Sequence, residues 1–377
     1  MHPSIDKEKQ RKAWQYFKEH FFLDIAGTGL SLLFLLFLIG TGISLNIESR
    51  LKEFLSGFLF LHSLYFFAFY TAFYLFTFPV SYLSSFRLEH KYGFSTQTLK
   101  GWLTDRAKGF IVGLVLGLIV FDAFYWFVQK SPRLWWFWSS IGFLFFSVIL
   151  ANLAPVLLIP IFYKYVPLKD NSLKERLIQL SRRARVKIIG VYNLKMSEKT
   201  RKANAALTGL GHTRRILLGD NLLKDYNPDE IETVIGHELG HHIHHHILRG
   251  ILAGTVLTMG KFFVIFKTSP VFLNFINLPP INHVAAFPGI ILSFGFIQFL
   301  ITPLSTGLSR FFERQADQTA MRLTGKPQAF ISTMAKFANL YLAMAYPPGL
   351  IEWYRYDHPS IGRRIGMAER FMAKGRS

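Results

Sequence analysis

Long apolar blocks, nearly free of charge, alternate along this chain with polar connections. A run of about 18 or more such residues is long enough to cross a bilayer as a helix. Six runs qualify, at about 22–45, 54–82, 108–128, 134–163, 247–268 and 284–309. The fourth is long and carries Pro155 and Pro160, so its second half is expected to kink or to leave the bilayer. The first lacks an A-x-A cleavage site and reads as a retained anchor.

Residues 164–246 break the pattern. In "PLKDNSLKERLIQLSRRARV", Leu173, Leu177, Ile178 and Leu180 recur at helical spacing among basic residues, which predicts a short amphipathic helix. "KIIGVYNL" (187–194) and "RRILLGDNLL" (214–223) have the content and length of strands, with a polar stretch between them. The chain therefore divides into an N-terminal membrane part (1–163), a polar insert (164–246), two further spans (247–309) and a C-terminal segment (310–377).

Composition agrees: 51% of the 377 residues are apolar and 39 are Phe. The net charge of +20 would suggest nucleic acid until Lys and Arg are sorted by loop. With the N-terminus inside, the inner segments 1–21, 86–108, 164–246 and 310–377 hold 36 of the 43. The outer loops hold only Arg50, Lys52, Lys130 and Arg133. Positive-inside bias accounts for this and puts both termini and the insert on the cytoplasmic side, with anionic membrane lipids rather than nucleic acid as the counter-charge. The absence of cysteine excludes disulfides, thiol nucleophiles and cysteine-bound metal.

Candidate chemistry concentrates in "YNPDEIETVIGHELGHHIHHH" (226–246). Asn227 suits a helix N-cap, Pro228 the first helical position, and Glu230 stands three residues after the cap, so a helix begins here. On it His237 and His241 share a face, with Glu238 about 100° round. In this HExxH arrangement two imidazoles bind one zinc ion and the carboxylate takes a proton from the attacking water. If the helix runs on, His244 falls about two turns from His237, His242 and His246 point elsewhere, and His245 is offset. These four are expected to be interfacial polar residues. The third ligand is sought in "LSRFFERQADQTAMRLTGK" (308–326), where Glu313 and Asp317 lie four apart on a predicted helix. Glu313 completes a site of two His and one Glu, and Asp317 orients a ligand histidine through its second ring nitrogen.

With HELGH at 237–241 and ERQAD at 313–317 behind a span, the chain resembles the type I CAAX prenyl endopeptidases and their prokaryotic relatives, which are integral-membrane zinc metalloproteases. "LEHKYGFSTQTLKGWLTDRAKG" (88–109), "KANAALTGLGHTRRILLGDNLL" (202–223) and "YDHPSIGRRI" (356–365) are similar to that family's loop after an early span, its substrate-side strand and its C-terminal histidine–proline segment. The resemblance implies that Asn204, paired with Ala205, and His358 touch the substrate or transition state, and that Arg364 holds the peptide's carboxylate end. It implies a peptide or protein substrate, prenylated near its C-terminus in that family. Eukaryotic members have seven spans where six are counted here.

The expected fold is mainly α: a multi-pass membrane helical bundle of about six spans with a small cytoplasmic α+β catalytic unit of gluzincin type. The expected function is zinc metalloendopeptidase activity at the surface of a prokaryotic cytoplasmic membrane or the endoplasmic reticulum, with general membrane-protein quality control as the alternative to CAAX processing. A metal transporter is the rival class. It is disfavoured because the polar residues within the runs, Asp24, His62, Asp122 and Lys261, form no cluster by sequence.

Overall fold

The computed structural model describes residues 2–55, 57–209 and 213–374. Leu210 to His212, in the connection between the two expected strands, lie outside the described residues.

Among the described residues, six helices are long and apolar enough to cross a membrane, one for each expected run. In the N-terminal part they are α1 (Lys7–Gly40), α3 (Phe58–Tyr82), α4 (Leu99–Lys130) and α5 (Trp135–Leu153). α1 and α4 start well before their apolar runs, because side-chain caps at Asp6 and Thr98 rather than hydropathy set their starts. The Asp6 side chain accepts from the N–H groups of Glu8 and Lys9 and so starts α1 two turns or more before the apolar stretch. In the fourth run the regular α-helix ends where the prolines begin: α5 gives way to a π-helical turn at Ala154–Leu158. A 12-residue helix, α2 (Ile43–Phe54), was not expected. It begins after Gly42, whose φ of +67° ends α1. Its buried Glu48 accepts from His283 and from the Ala285 N–H, each at 2.9 Å, tying α2 to the far loop between the last two spans. Aromatic rings fill the bundle between α1, α3 and α4, with Phe34, Tyr65, Phe66, Phe121 and Tyr125 all buried.

The polar insert forms a four-stranded sheet under two helices. Its elements are β1 (Tyr165–Pro167), α6 (Asn171–Arg183), β2 (Val191–Leu194), β3 (Ala205–Thr208), β4 (Arg215–Gly219), α7 (Asp220–Asp225) and α8 (Pro228–Ile243). The strand order is β1-β2-β4-β3, with β2 and β4 parallel and the outer pairs antiparallel. Both strands read from the pattern exist but are shorter than their apolar stretches. β3, beside Asn204, is an edge strand. Leu173, Leu177 and Leu180 of α6 pack with Ile216 and Leu218 of β4 and with Ile231, Ile235 and Leu239 of α8.

The C-terminal half comprises α9 (His246–Phe275), α10 (Phe287–Thr324), α11 (Pro327–Leu340), α12 (Gly349–Arg355) and α13 (Ile361–Lys374). The capping box of α8 is present: Asn227 and Glu230 exchange side-chain-to-backbone bonds of 2.9 Å. The expected continuity of α8 with the next span is not. α8 stops at Ile243, His245 takes a left-handed conformation at φ 53°, and α9 starts afresh at His246.

Candidate active site

The site is assembled by close contact between α8 and α10. A β-carbon on Gly240 would lie 2.8 Å from Ala316 Cα, and one on Gly236 would lie 3.2 Å from Ala320 Cα. These two glycines, one turn apart, let the helices meet backbone to backbone. That contact carries the residues of HELGH onto those of ERQAD. His237 Nε2 lies 3.1 Å from His241 Nε2 and 3.1 Å from Glu313 Oε2. His241 Nε2 lies 3.3 Å from Glu313 Oε1. Among the described residues this trio is the group able to hold a metal ion.

The protons around the trio say what it needs. His237 Nδ1 donates to Asp317 Oδ1 at 2.9 Å, so Nε2 faces its neighbours with a lone pair. His241 Nδ1 is 3.0 Å from His246 Nδ1, which leaves its Nε2 turned the same way. Glu313 Oε2 is buried, with His237 Nε2 and His358 Nε2 each 3.1 Å away. Lone pairs and a carboxylate this close repel unless positive charge sits between them. A tetrahedral ion with bonds of about 2.1 Å separates its ligands by about 3.4 Å, close to the spacings found. The residues therefore fit a divalent metal. In its absence a proton takes that place: burial pulls the His237 imidazole down, but the Asp317 and Glu313 carboxylates prevail and hold it up at about 9.

A cavity of about 180 Å³ opens beside the trio. Asn204, Ala205, His237, Glu238, His358 and Arg364 line it, so six of the nine residues expected at the site meet there. Glu238 is half-buried at its wall. His358 is exposed; its Nε2 is 3.1 Å from Glu313 Oε2 and its Nδ1 pairs with Asp357 at 2.8 Å. Asn204 precedes β3, and its carbonyl accepts from the Gly219 N–H at 2.8 Å.

Two expectations change. Arg364 was to hold a peptide carboxylate, but its Nε and Nη2 bind Asp317 at 2.9 and 2.5 Å. Asp317 is fully buried, and a buried carboxylate needs such a cation more than an incoming one does. His246 was to point away from the site, and this fails because the helix is broken before it. The other extra histidines bind elsewhere: His242 Nε2 is 3.3 Å from the Leu207 carbonyl, and His244 Nε2 is 2.9 Å from Thr319 Oγ1. The α8–α10 contact was missed, although its signal is in the sequence: Gly236 and Gly240 on one helix, Ala316 and Ala320 on the other, both pairs four apart.

The model of peptidase family M48 matches residues 167–371. The chain belongs to peptidase family M48. Residues 1–164 match a second family model, "CAAX prenyl protease N-terminal, five membrane helices". Over that region this M48 protein has four candidate spans plus α2, which is too short to cross a bilayer. It is 31% identical over 252 residues to the uncharacterized metalloprotease YhfN of Bacillus subtilis, covering 66% of this chain and 59% of that protein. It is 30% identical over 274 residues to CAAX prenyl protease 1 of Saccharomyces cerevisiae, covering 67% and 58%. The chain thus spans less than two thirds of the length of these curated relatives. The crystal structure of S. mikatae Ste24p has the same fold, with a TM-score of 0.88 at 22% identity over 98% of this chain and 90% of that one. The M48 protein is accordingly a multi-pass membrane protein, and its family implies a metal ion.

Proposed function

We propose that this M48 protein is a zinc endopeptidase that cuts peptides at the cytoplasmic surface of its membrane. The observation that carries this reading is the convergence of His237, His241 and Glu313 on one point, with Glu238 at the wall of the adjoining cavity. Two imidazoles and a carboxylate are the protein ligands of catalytic zinc sites that keep a fourth position open. When bound, zinc supplies Lewis acidity, which lowers the pKa of water and polarises a carbonyl. Glu238 takes the proton of the attacking water and passes it to the leaving amine. Asp317 fixes the tautomer of His237 and Arg364 neutralises Asp317. His358, oriented by Asp357, donates to the oxygen on which negative charge develops. The outer edge of β3, entered from Asn204 and Ala205, pairs with an extended substrate backbone and so recognises main chain before side chains.

Transport is disfavoured by the surroundings of the intramembrane polar residues. Asp24 pairs with Arg355, His62 with the Phe58 carbonyl, Asp122 with Ser63 and Lys261 with Gln298; His62 and Asp122 also lie near each other, but among the described residues none of the four joins a metal-holding group. Among substrates, CAAX-type processing of a prenylated C-terminus is supported by relatives that bear that name. General cleavage of membrane proteins is supported by the Arg364 fork, which is already occupied by Asp317. The deciding experiment incubates the protein in nanodiscs with farnesylated and unmodified peptides and locates the cuts by mass spectrometry. Glu238→Gln is expected to keep one zinc per chain and lose cleavage, as the parent does with a chelator. Cleavage that survives both treatments overturns the reading. A large gain in kcat/KM from the farnesyl group marks CAAX processing, and no gain marks the broader activity.

A further inference from the structure

We propose that His246 is a positioning residue of the metal centre, holding His241 with Nε2 turned to the ion. The inference rests on the His–His–Glu metal site proposed above and adds a residue to it.

The backbone supplies the first argument. His245 sits at φ 53°, a region that a β-carbon disfavours and that persists where the surroundings impose it. The reversal ends α8 and swings the next residue back towards the residues already laid down. Without it, His246 would face away from His241 on a continuous helix.

The second argument is that the His246 ring is held on its faces and at both nitrogens. It is buried, stacks on Phe312 at 4.5 Å with 14° between planes, and faces His244 at 5.4 Å. Its Nδ1 is 3.0 Å from His241 Nδ1, and its Nε2 is 3.0 Å from Gln315 Oε1. Gln315 lies on α10 between Glu313 and Asp317, so the same helix supplies a ligand, the support of His237 and the end of this second chain.

Only one arrangement of protons satisfies all three groups. If His241 offers Nε2 to a metal, its Nδ1 bears the hydrogen and donates to His246 Nδ1. The single hydrogen of neutral His246 then sits on Nε2 and goes to Gln315 Oε1, which can only accept. Each ligand histidine thereby has a partner fixing its tautomer, a carboxylate behind His237 and a neutral imidazole behind His241. A second carboxylate would raise ligand basicity and add negative charge behind the ion. The imidazole fixes the tautomer without that charge.

The test uses the full chain in detergent or nanodiscs, with zinc affinity read by competition against a chromophoric chelator. His246→Phe keeps the stack on Phe312 and removes the acceptor, and it is expected to weaken zinc binding about 10- to 100-fold. His246→Asn places Oδ1 near the lost Nδ1 and is expected to restore binding to within about threefold of the parent. His242→Ala is expected to bind zinc as the parent does, and the metal-free melting temperature of His246→Phe to stay with that of the parent. The proposal is overturned if His246→Phe binds zinc as tightly as the parent. It is equally overturned if Phe and Asn variants lose zinc alike while their metal-free forms melt early, which marks a packing role alone. A parent chain that binds no zinc removes the underlying metal site as well.

Discussion

Replacing Gly240 with alanine is expected to loosen the metal centre while leaving the protein folded. The added β-carbon falls 2.8 Å from Ala316 Cα, 3.1 Å from the Ala316 carbonyl oxygen and 3.2 Å from Thr319 Cβ. Carbon atoms rest about 3.5–4.0 Å apart, so α8 and α10 must separate locally by about 1 Å. Ligands flank the contact directly: His241 follows Gly240 in sequence, and Glu313 stands about one turn before Ala316. Their 3.3 Å separation opens by a similar amount, beyond the roughly 3.4 Å that one tetrahedral ion spans. Overpacking of this kind costs about 1–3 kcal/mol, and alanine's better helix propensity offsets about 1 kcal/mol of it. The melting temperature of the metal-free protein should therefore move little. Zinc affinity should fall at least about tenfold, since about 1.4 kcal/mol lost at the ligand pair already has that effect. Chelator competition measures it, with Gly254→Ala as control because a β-carbon there meets nothing within 4 Å. If Gly240→Ala holds zinc as tightly as that control, the α8–α10 contact does not set the ligand spacing.

Three further outcomes are expected. Asp317→Ala leaves Arg364 buried without its partner and should destabilise the protein by about 3–5 kcal/mol in thermal melts; adding Arg364→Met should recover much of the stability but not the zinc affinity. The chain has no cysteine, so Arg133→Cys and Lys224→Cys can each be labelled alone; an impermeant reagent should reach them from opposite sides of the membrane, and labelling of both from one side would refute the predicted orientation. Glu230 and Glu232 are desolvated, yet Lys336 with Ser332, and Arg176 with Lys326, hold both below the usual carboxylate range. Their folded pKa lies under the unfolded one, so their stabilisation is present above about pH 4.5 and is lost as pH falls through the folded value. Glu232→Gln should accordingly flatten the decline in melting temperature over that acidic range.

The membrane part was legible because each span is a long run whose only requirement is apolarity. The start of α8 was legible because Asn227, Pro228 and Glu230 are local cap signals that need no tertiary partner. β1 was not read from the pattern and β3 only through the family resemblance, because YVP and AALT lack the run of β-branched and aliphatic residues that marks "KIIGVYNL" and "RRILLGDNLL". The metal trio could be read from two motifs at helical spacing. The support of His241 could not, because it depends on where a helix breaks. Nothing in "HHIHHH" marks His245 as left-handed, and assuming a continuous helix sent His246 to the wrong side. Arg364 failed for another reason. Sequence shows that an arginine is available, but only burial reveals that Asp317 already claims it.

The bond between Arg364 and Asp317 also gives the order of synthesis a meaning. HELGH leaves the ribosome first, ERQAD follows after two further spans, and Arg364 comes only with α13. Until α13 docks, the carboxylate that steadies His237 lacks its guanidinium partner, and burying it without that partner is unfavourable. A chain interrupted after residue 326 would carry His237, His241, Glu313 and Glu238 of the proposed site, yet lack both the Arg364 guanidinium beside Asp317 and the His358 wall of the cavity. Assembly of that site thus waits for the last helix of the chain.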